Sequence, residues 1–89
     1  MGAISVEKID ETTFRVTVGA ATATTHTVTV SEAYRRKLVG DDVPAERLVE
    51  KSFEFLLERE PNTSILRTFD LPVIQQYFSE YERTISGSS

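Results

Sequence analysis

The sequence contains no cysteine, and its four glycines, at positions 2, 19, 40 and 87, lie far apart. The absence of cysteine excludes a disulfide framework, thiolate metal ligands and a thiol nucleophile. The scattered glycines exclude a glycine-rich phosphate-binding loop. No apolar run approaches the roughly 20 residues that span a bilayer, and residues 1–5 lack the basic start and long apolar stretch of a signal peptide. We therefore expect a cytoplasmic protein with no membrane segment.

The 89 residues include 14 acidic and 10 basic side chains, which gives a net charge of −4, and 39% of the residues are hydrophobic. These values are typical of one small globular domain, which we place in residues 1–85, followed by a flexible tail in residues 86–89. A domain of this size buries only roughly 60% of the surface that its unfolded chain exposes. We therefore expect a protein partner, or a second copy in a homodimer, to add to its stability.

Apolar and polar residues alternate in the first thirty residues, which is the pattern of strands with one buried face. The alternation is found at Phe14, Val16 and Val18, at Val28 and Val30, and more weakly at Ile4 and Val6. Gly19 and the Asp10-Glu11 pair are suited to turns. The pattern predicts an antiparallel β-hairpin or a three-stranded meander, and it leaves open whether residues 4–9 form the third strand.

The next residues have the spacing of helices. Ser31 is suited to cap a first helix, and Gly40 is suited to end it. A second, longer helix is expected from Pro44 to Glu60, with Pro44 in its first turn. Its apolar residues cover about 200° of its circumference, although a one-sided amphipathic helix needs little more than about 100°. This helix should therefore contact two surfaces, the sheet and either the C-terminal helix or a second copy of the chain.

The C-terminal third should be helical as well. Residues 64–68 are expected to form one short helical turn, and Asp70 should cap the helix that follows. The spacing of a helix buried along one side is found at Val73, Ile74, Tyr77, Phe78 and Tyr81. Residues 79–82 also have the pattern of a capping box, so a break at Ser79 is a second interpretation. The sequence as a whole predicts an α+β domain, in which the hairpin or meander packs against two or three C-terminal helices.

Few residues could support catalysis. His26 is the only histidine, and it lies in a threonine-rich strand without a carboxylate at a recognisable spacing, so we interpret it as a structural or a surface residue. Asp41 and Asp42 precede a helix, where the helix dipole stabilises negative charge. We therefore predict that the protein is not an enzyme and needs no metal or cofactor.

The wide apolar arc of the long helix favours a protein-interaction or adaptor domain that associates with itself or with another protein. The residues that we expect at this interface are Leu48, Phe55, Val73, Tyr77 and Tyr81. Glutamates also recur every four residues along the long helix, at Glu46, Glu50, Glu54 and Glu58. This acidic ridge is interpreted as a solvated face, and the alternative is a docking stripe for a basic partner.

Residues 24–60 contain the strand segment Thr27-Val28-Thr29-Val30-Ser31, a short helix, Gly40 and the helix that begins Pro44-Ala45-Glu46-Arg47. This arrangement resembles the ribbon-helix-helix family of DNA-binding regulators and antitoxins, in which two chains pair one strand each into a ribbon that enters the major groove. The resemblance implies a dimer that reads bases through Thr25, Thr27 and Thr29. Arg35, Arg36 and Lys37 form the basic cluster of this interpretation. DNA binding is therefore the alternative function.

A second resemblance extends over residues 28–82. It rests on Phe53-Glu54-Phe55-Leu56-Leu57-Glu58-Arg59-Glu60-Pro61, on Phe69-Asp70-Leu71, and on Val73-Ile74 ahead of Tyr77-Phe78. These segments resemble small bacterial proteins of unknown function. The resemblance implies a bacterial setting and a helical half that is an integral part of the domain, and it implies no activity.

Overall fold

A computed structural model describes residues 3–19 and 22–87. The strands are β1 (Ala3–Lys8), β2 (Thr13–Gly19), β3 (Thr24–Thr29) and β4 (Thr68–Asp70). The helices are α1 (Glu32–Val39), α2 (Ala45–Leu57), α3 (Pro72–Tyr77) and α4 (Tyr81–Gly87), with one 3₁₀ turn at Asn62–Ser64. The predicted α+β class is confirmed.

The four strands form one mixed sheet in the order β1-β2-β3-β4. Strands β1, β2 and β3 are antiparallel neighbours, so the three-stranded meander is confirmed and β1 is its third strand. Strand β4 was not predicted, and it pairs in parallel with β3, with Phe69 beside Val28. Helices α1 and α2 form the crossover that a parallel pair requires.

The turn predicted at Asp10-Glu11 is confirmed. One carboxylate oxygen of Asp10 accepts hydrogen bonds from the backbone N–H groups of Thr12 and Thr13, at 3.0 and 2.8 Å. Such an Asx turn reverses the chain between two strands. These hydrogen bonds lower the pKa of Asp10, and the bond from the backbone N–H of Thr12 has the largest effect. Gly19 ends β2 as expected, and residues 20 and 21 of the second turn lie outside the described residues.

Both ends of α1 are as predicted. The hydroxyl oxygen of Ser31 accepts from the N–H of Tyr34 at 3.1 Å, which is an N-cap. Gly40 has a φ of +75°, a left-handed conformation that favours glycine, and its N–H donates to the carbonyl of Arg36.

Helix α2 is shorter than the predicted range of residues 44–60. Pro44 precedes it in an extended conformation, so Pro44 is the N-cap and does not lie in the first turn. At the other end, the N–H groups of Arg59 and Glu60 both bond to the carbonyl of Leu56. This shared acceptor tightens the chain into a final turn just before Pro61.

Two predictions for residues 64–70 are wrong. The helical turn lies at residues 62–64, and Asp70 is the last residue of β4, so that Leu71 takes the N-cap position of α3. The reason is long-range pairing, because the N–H of Thr27 donates to the carbonyl of Arg67 and draws this segment into the sheet.

The helix break predicted as the second interpretation is confirmed. Helix α3 ends at Tyr77 and α4 begins at Tyr81. The side chain of Gln75 caps the restart, since its oxygen accepts from the N–H of Glu82 at 2.9 Å. Helix α4 includes residues 86 and 87, which were predicted as flexible tail because of their small side chains, and residues 88 and 89 lie outside the described residues.

The core lies between one face of the sheet and the helices. The fully buried side chains of the sheet are Phe14, Val16, Val18, His26 and Val28, and those of the remaining elements include Leu48, Val49, Phe53, Leu71 and Tyr81. One buried polar contact ties α4 to α2. The hydroxyl of Ser52 donates to the carbonyl of Leu48, so the phenol of Tyr81 donates to Ser52 at 2.6 Å. Among the described residues, no helix is both long and apolar enough to cross a membrane.

The buried phenol of Tyr81 should make the protein sensitive to alkali. Burial raises the pKa of Tyr81 above its usual value of 10.0, so the phenol stays protonated in the native state after it has ionised in the unfolded chain. The contribution of Tyr81 to the free energy of unfolding is therefore intact below pH 10 and should fall by about 1.4 kcal/mol per pH unit above it. Urea unfolding at about pH 9 and about pH 11 measures this loss. A Tyr81→Phe variant should lose less, and equal stability of the parent at both pH values would contradict the prediction.

Candidate functional site

An apolar groove of about 300 Å³ opens between the end of α2, the segment from Ser64 to Leu66, and α3. Its floor consists of buried apolar side chains: Leu56, Ile65, Phe69 and Ile74. Its rims carry Leu66 and Tyr77, which are 49% and 69% exposed. Two of the three exposed large hydrophobic side chains of the described residues therefore line this one groove.

The groove exists because α3 is short and the chain changes direction after it. Val73 and Tyr77 lie on the α3 wall. Phe78 has left the helix, with a φ of −131°, and its N–H donates to the carbonyl of Ile74. The rings of Phe78 and Tyr81 pack edge-on against Phe55 at centroid distances of 5.9 and 5.3 Å. The contact of Tyr81 holds α4 against α2, and no residue of α4 lines the groove.

A partly buried series of hydrogen bonds anchors the opposite wall, at Leu66, to the sheet. Nδ1 of His26 lies 2.8 Å from the carbonyl oxygen of Leu66, and Nε2 lies 2.8 Å from the hydroxyl of Thr24. Because a carbonyl can only accept, Nδ1 carries a proton, and in the neutral ring Nε2 then accepts from the hydroxyl of Thr24. The amide of Asn62 donates both to this hydroxyl, at 2.9 Å, and to the carbonyl of Thr22, at 2.7 Å.

The end of α2 gives the groove an acidic rim. The last turn of α2 has no basic residue, and Glu60 lines the groove. Arg59 is turned away, because its guanidinium lies 3.6 Å from the centre of the Phe55 ring and pairs with Glu58 and Glu80 at 3.3 Å. Glu60 forms no ion pair with any described residue. The guanidinium of Arg59 also donates to the carbonyl of Phe55 at 3.0 Å and so caps the C-terminus of α2, which leaves Glu60 as the source of the negative charge at the rim.

Of the five interface residues that the sequence predicted, two line the groove and three lie in the core. Val73 and Tyr77 line the groove. Leu48, Phe55 and Tyr81 are at most 3% exposed and belong to the intrachain core, so no partner can contact them in this structure. The wide apolar arc of α2 is explained by two intrachain surfaces, the sheet on one side and the C-terminal helices on the other.

The three threonines of the DNA-binding alternative lie on β3. Thr25, Thr27 and Thr29 alternate with the buried His26 and Val28, so they belong to the face of the sheet away from the core. Strand β3 pairs with β2 on one side and with β4 on the other. Residues 27–29 of β3 therefore have no free edge with which to form a ribbon with a second copy.

The basic cluster of the same alternative is engaged within the chain. Arg35 donates to the carbonyls of Gly40 and Val43. Arg36 pairs with Glu32 and Asp41, at 2.8 and 2.9 Å, and Lys37 pairs with Glu82 at 3.2 Å. The basic charge at these positions is thus largely balanced by neighbouring carboxylates.

Two residues of the site were not identified as such from the sequence. Asn62 is buried and polar, and it joins His26 in holding the Leu66 wall. The sequence signal was weak, because an Asn after a Pro is typical of a turn. His26 is 1% exposed, which agrees with a structural role and not with a surface one. Among the described residues, no group of three or more His, Cys, Asp or Glu side chains could hold a metal ion.

Comparison of the chain with protein-family models, with curated proteins and with solved structures finds no match.

Proposed function

We propose that the protein is a non-catalytic protein-binding domain whose groove holds a short segment of a partner protein. The segment presents two large apolar side chains to the groove and a lysine or arginine to its acidic rim. The observation that carries this proposal is the apolar groove itself, with the exposed side chains of Leu66 and Tyr77 on its rims.

The size of the groove favours apolar side chains over a cofactor or nucleotide. Its volume of about 300 Å³ is at the lower limit for small-molecule sites, which have roughly 300 to 1,000 Å³. One lining residue, Glu60, is charged, and the others are apolar apart from Ser64 and the phenol of Tyr77. An amphipathic helix that inserts two apolar side chains, one turn apart, suits such a groove.

The charge of the rim favours a basic partner. Glu60 lines the groove and forms no ion pair with the described residues, so its carboxylate is an uncompensated negative charge at the rim. A second copy of this chain, with a net charge of −4, would be repelled at this rim. The groove therefore suits a heterologous segment with basic residues.

Selection from a library of random peptides of about 12 residues, displayed on phage, tests the proposal. Peptides that bind the parent protein should combine two large apolar residues with a nearby Lys or Arg. Their Kd, measured by isothermal titration calorimetry, should be on the order of 10 to 100 µM, because they bury only a few apolar side chains.

Paired variants locate the binding site. Val73→Glu puts a carboxylate on the groove wall and should weaken binding of the selected peptide at least about tenfold, whereas Gln76→Glu, at an exposed position of the same helix, should not. Glu60→Lys should weaken binding several-fold, and Glu54→Lys, which makes the same change in net charge on the exposed side of α2, should have a smaller effect. Equal losses within each pair would overturn the proposal.

A further inference from the structure

The two edges of the sheet differ in how well they are protected from pairing with another strand. Strand β4 is three residues long and is followed by Leu71 and Pro72. Strand β1 is six residues long, contains no proline, and pairs with β2 without a bulge. Natural edge strands are usually protected by shortness, proline, bulges or inward-pointing charge. At β1, only Glu7 and Lys8 at one end provide such protection.

The alternation of hydrogen bonds shows which groups of β1 face outward. The N–H of Ile9 donates to the carbonyl of Thr13 at 2.9 Å, one position beyond the Lys8 and Phe14 pair. In an antiparallel ladder, bonded and non-bonded pairs alternate. The odd-numbered residues of β1 therefore bond to β2, and the backbone groups of Ile4, Val6 and Lys8 point to the open edge.

The residues of β1 are complementary to a second copy of the same strand. If the twofold axis passes through Ser5, Ile4 stands opposite Val6 of the partner, and both residues belong to the outward-bonding set. Ala3 then stands opposite Glu7, and no like charges are opposed. The half-buried side chains of Ile4 and Val6, on the core side of the strand, would meet across the seam. A sheet of eight strands would result.

The geometry points to a homodimer in which two β1 strands pair antiparallel about Ser5. This surface is separate from the groove, which stays free to bind its partner. Glu7 does not oppose the association, because Arg15 on β2 pairs with it at 3.1 Å. The contact is isologous, so it closes at two chains and leaves no β1 edge for a third.

A single cysteine tests this seam, since the sequence has none of its own. The two Ser5 residues would form a non-hydrogen-bonded pair, with Cα atoms about 4.5 Å apart, which is within the range of disulfides. Ser5→Cys should therefore oxidise to a covalent dimer at least about tenfold faster than a free thiol at the same protein concentration. Thr17→Cys is the control, because Thr17 is also exposed and stands opposite Ser5 on β2. Two Thr17 residues would be three strand spacings apart, about 14 Å.

The mass in solution gives the second measurement. Light scattering after size exclusion should show the parent approaching twice its 10.0 kDa mass as its concentration rises. Val6→Pro removes an outward N–H without removing a bond to β2, so a folded Val6→Pro protein should stay monomeric. If the Val6→Pro variant does not fold, the comparison of the Ser5→Cys and Thr17→Cys variants still tests the dimer. A parent that is monomeric at every concentration, or equal oxidation rates of Ser5→Cys and Thr17→Cys, would overturn the inference.

Discussion

Replacing Phe53 with aspartate should unfold the protein. Phe53 is fully buried between α2 and the sheet, with ring centroids 5.3 Å from His26 and 6.0 Å from Phe69. Loss of a buried aromatic side chain costs about 3 to 5 kcal/mol, and an unpaired carboxylate in its place adds a desolvation cost. A small domain has only about 5 to 15 kcal/mol of stability in total. The variant should therefore lack a folded baseline at 25 °C.

Circular dichroism with urea titration measures this effect. Tyr77→Asp is the matched control, because it also replaces an aromatic residue by aspartate, but at a position that is 69% exposed. The control should unfold cooperatively, within about 1 kcal/mol of the parent, as expected for a surface substitution. A Phe53→Asp protein that unfolds cooperatively at nearly the same urea concentration as the parent would contradict the placement of Phe53 in the core.

Replacing His26 with phenylalanine should destabilise the protein by about 2 to 4 kcal/mol, even though an aromatic ring still fills the position. The change removes the donor to the carbonyl of Leu66 and the acceptor for the hydroxyl of Thr24. A buried polar group that loses its partner costs about 1 to 3 kcal/mol, and two such groups are left here. Because these bonds hold the Leu66 wall, hydrogen exchange at the nearby Thr27 amide, which donates to Arg67, should also become faster.

The neighbouring threonines provide the control. Thr24→Val removes the hydroxyl that joins His26 to Asn62 and should cost about 1 to 3 kcal/mol. Thr25→Val makes the same change at an exposed position of the same strand and should stay within about 0.5 kcal/mol of the parent. Equal losses of stability in the two variants would show that the hydrogen bonds among His26, Thr24 and Asn62 do not stabilise the protein.

Most of the fold could be predicted because its signals are local. The alternation around Phe14, Val16 and Val18 marks a half-buried strand, and the caps Ser31 and Gly40 have the predicted geometry. Strand β4 could not be found in this way. It has three residues, and Phe69 is the one apolar residue among them. A single apolar residue cannot show the alternation of apolar and polar positions that marks a strand. Its pairing depends on β3, some forty positions earlier in the chain.

The candidate site was predicted only in part for the same reason. Val73 and Tyr77 were identified from helical spacing, and they line the groove. The sequence could not distinguish a second copy from the C-terminal helix as the second neighbour of α2. The contacts of Phe55 with Phe78 and Tyr81 now identify that neighbour. The support of the groove by His26 joins residues that are 40 positions apart, which no local pattern reveals.

The most direct test of the proposed function is a map of where a selected peptide binds. The measurement is a series of ¹H–¹⁵N correlation spectra of the labelled protein during titration with the peptide selected on the parent. We expect saturable shifts at the amides of Ile65, Leu66, Val73 and Tyr77, and no shifts for residues whose side chains lie on the face of the sheet away from the core. Shifts centred on the β1 edge or on the threonines of β3, with the groove unaffected, would contradict the proposed function.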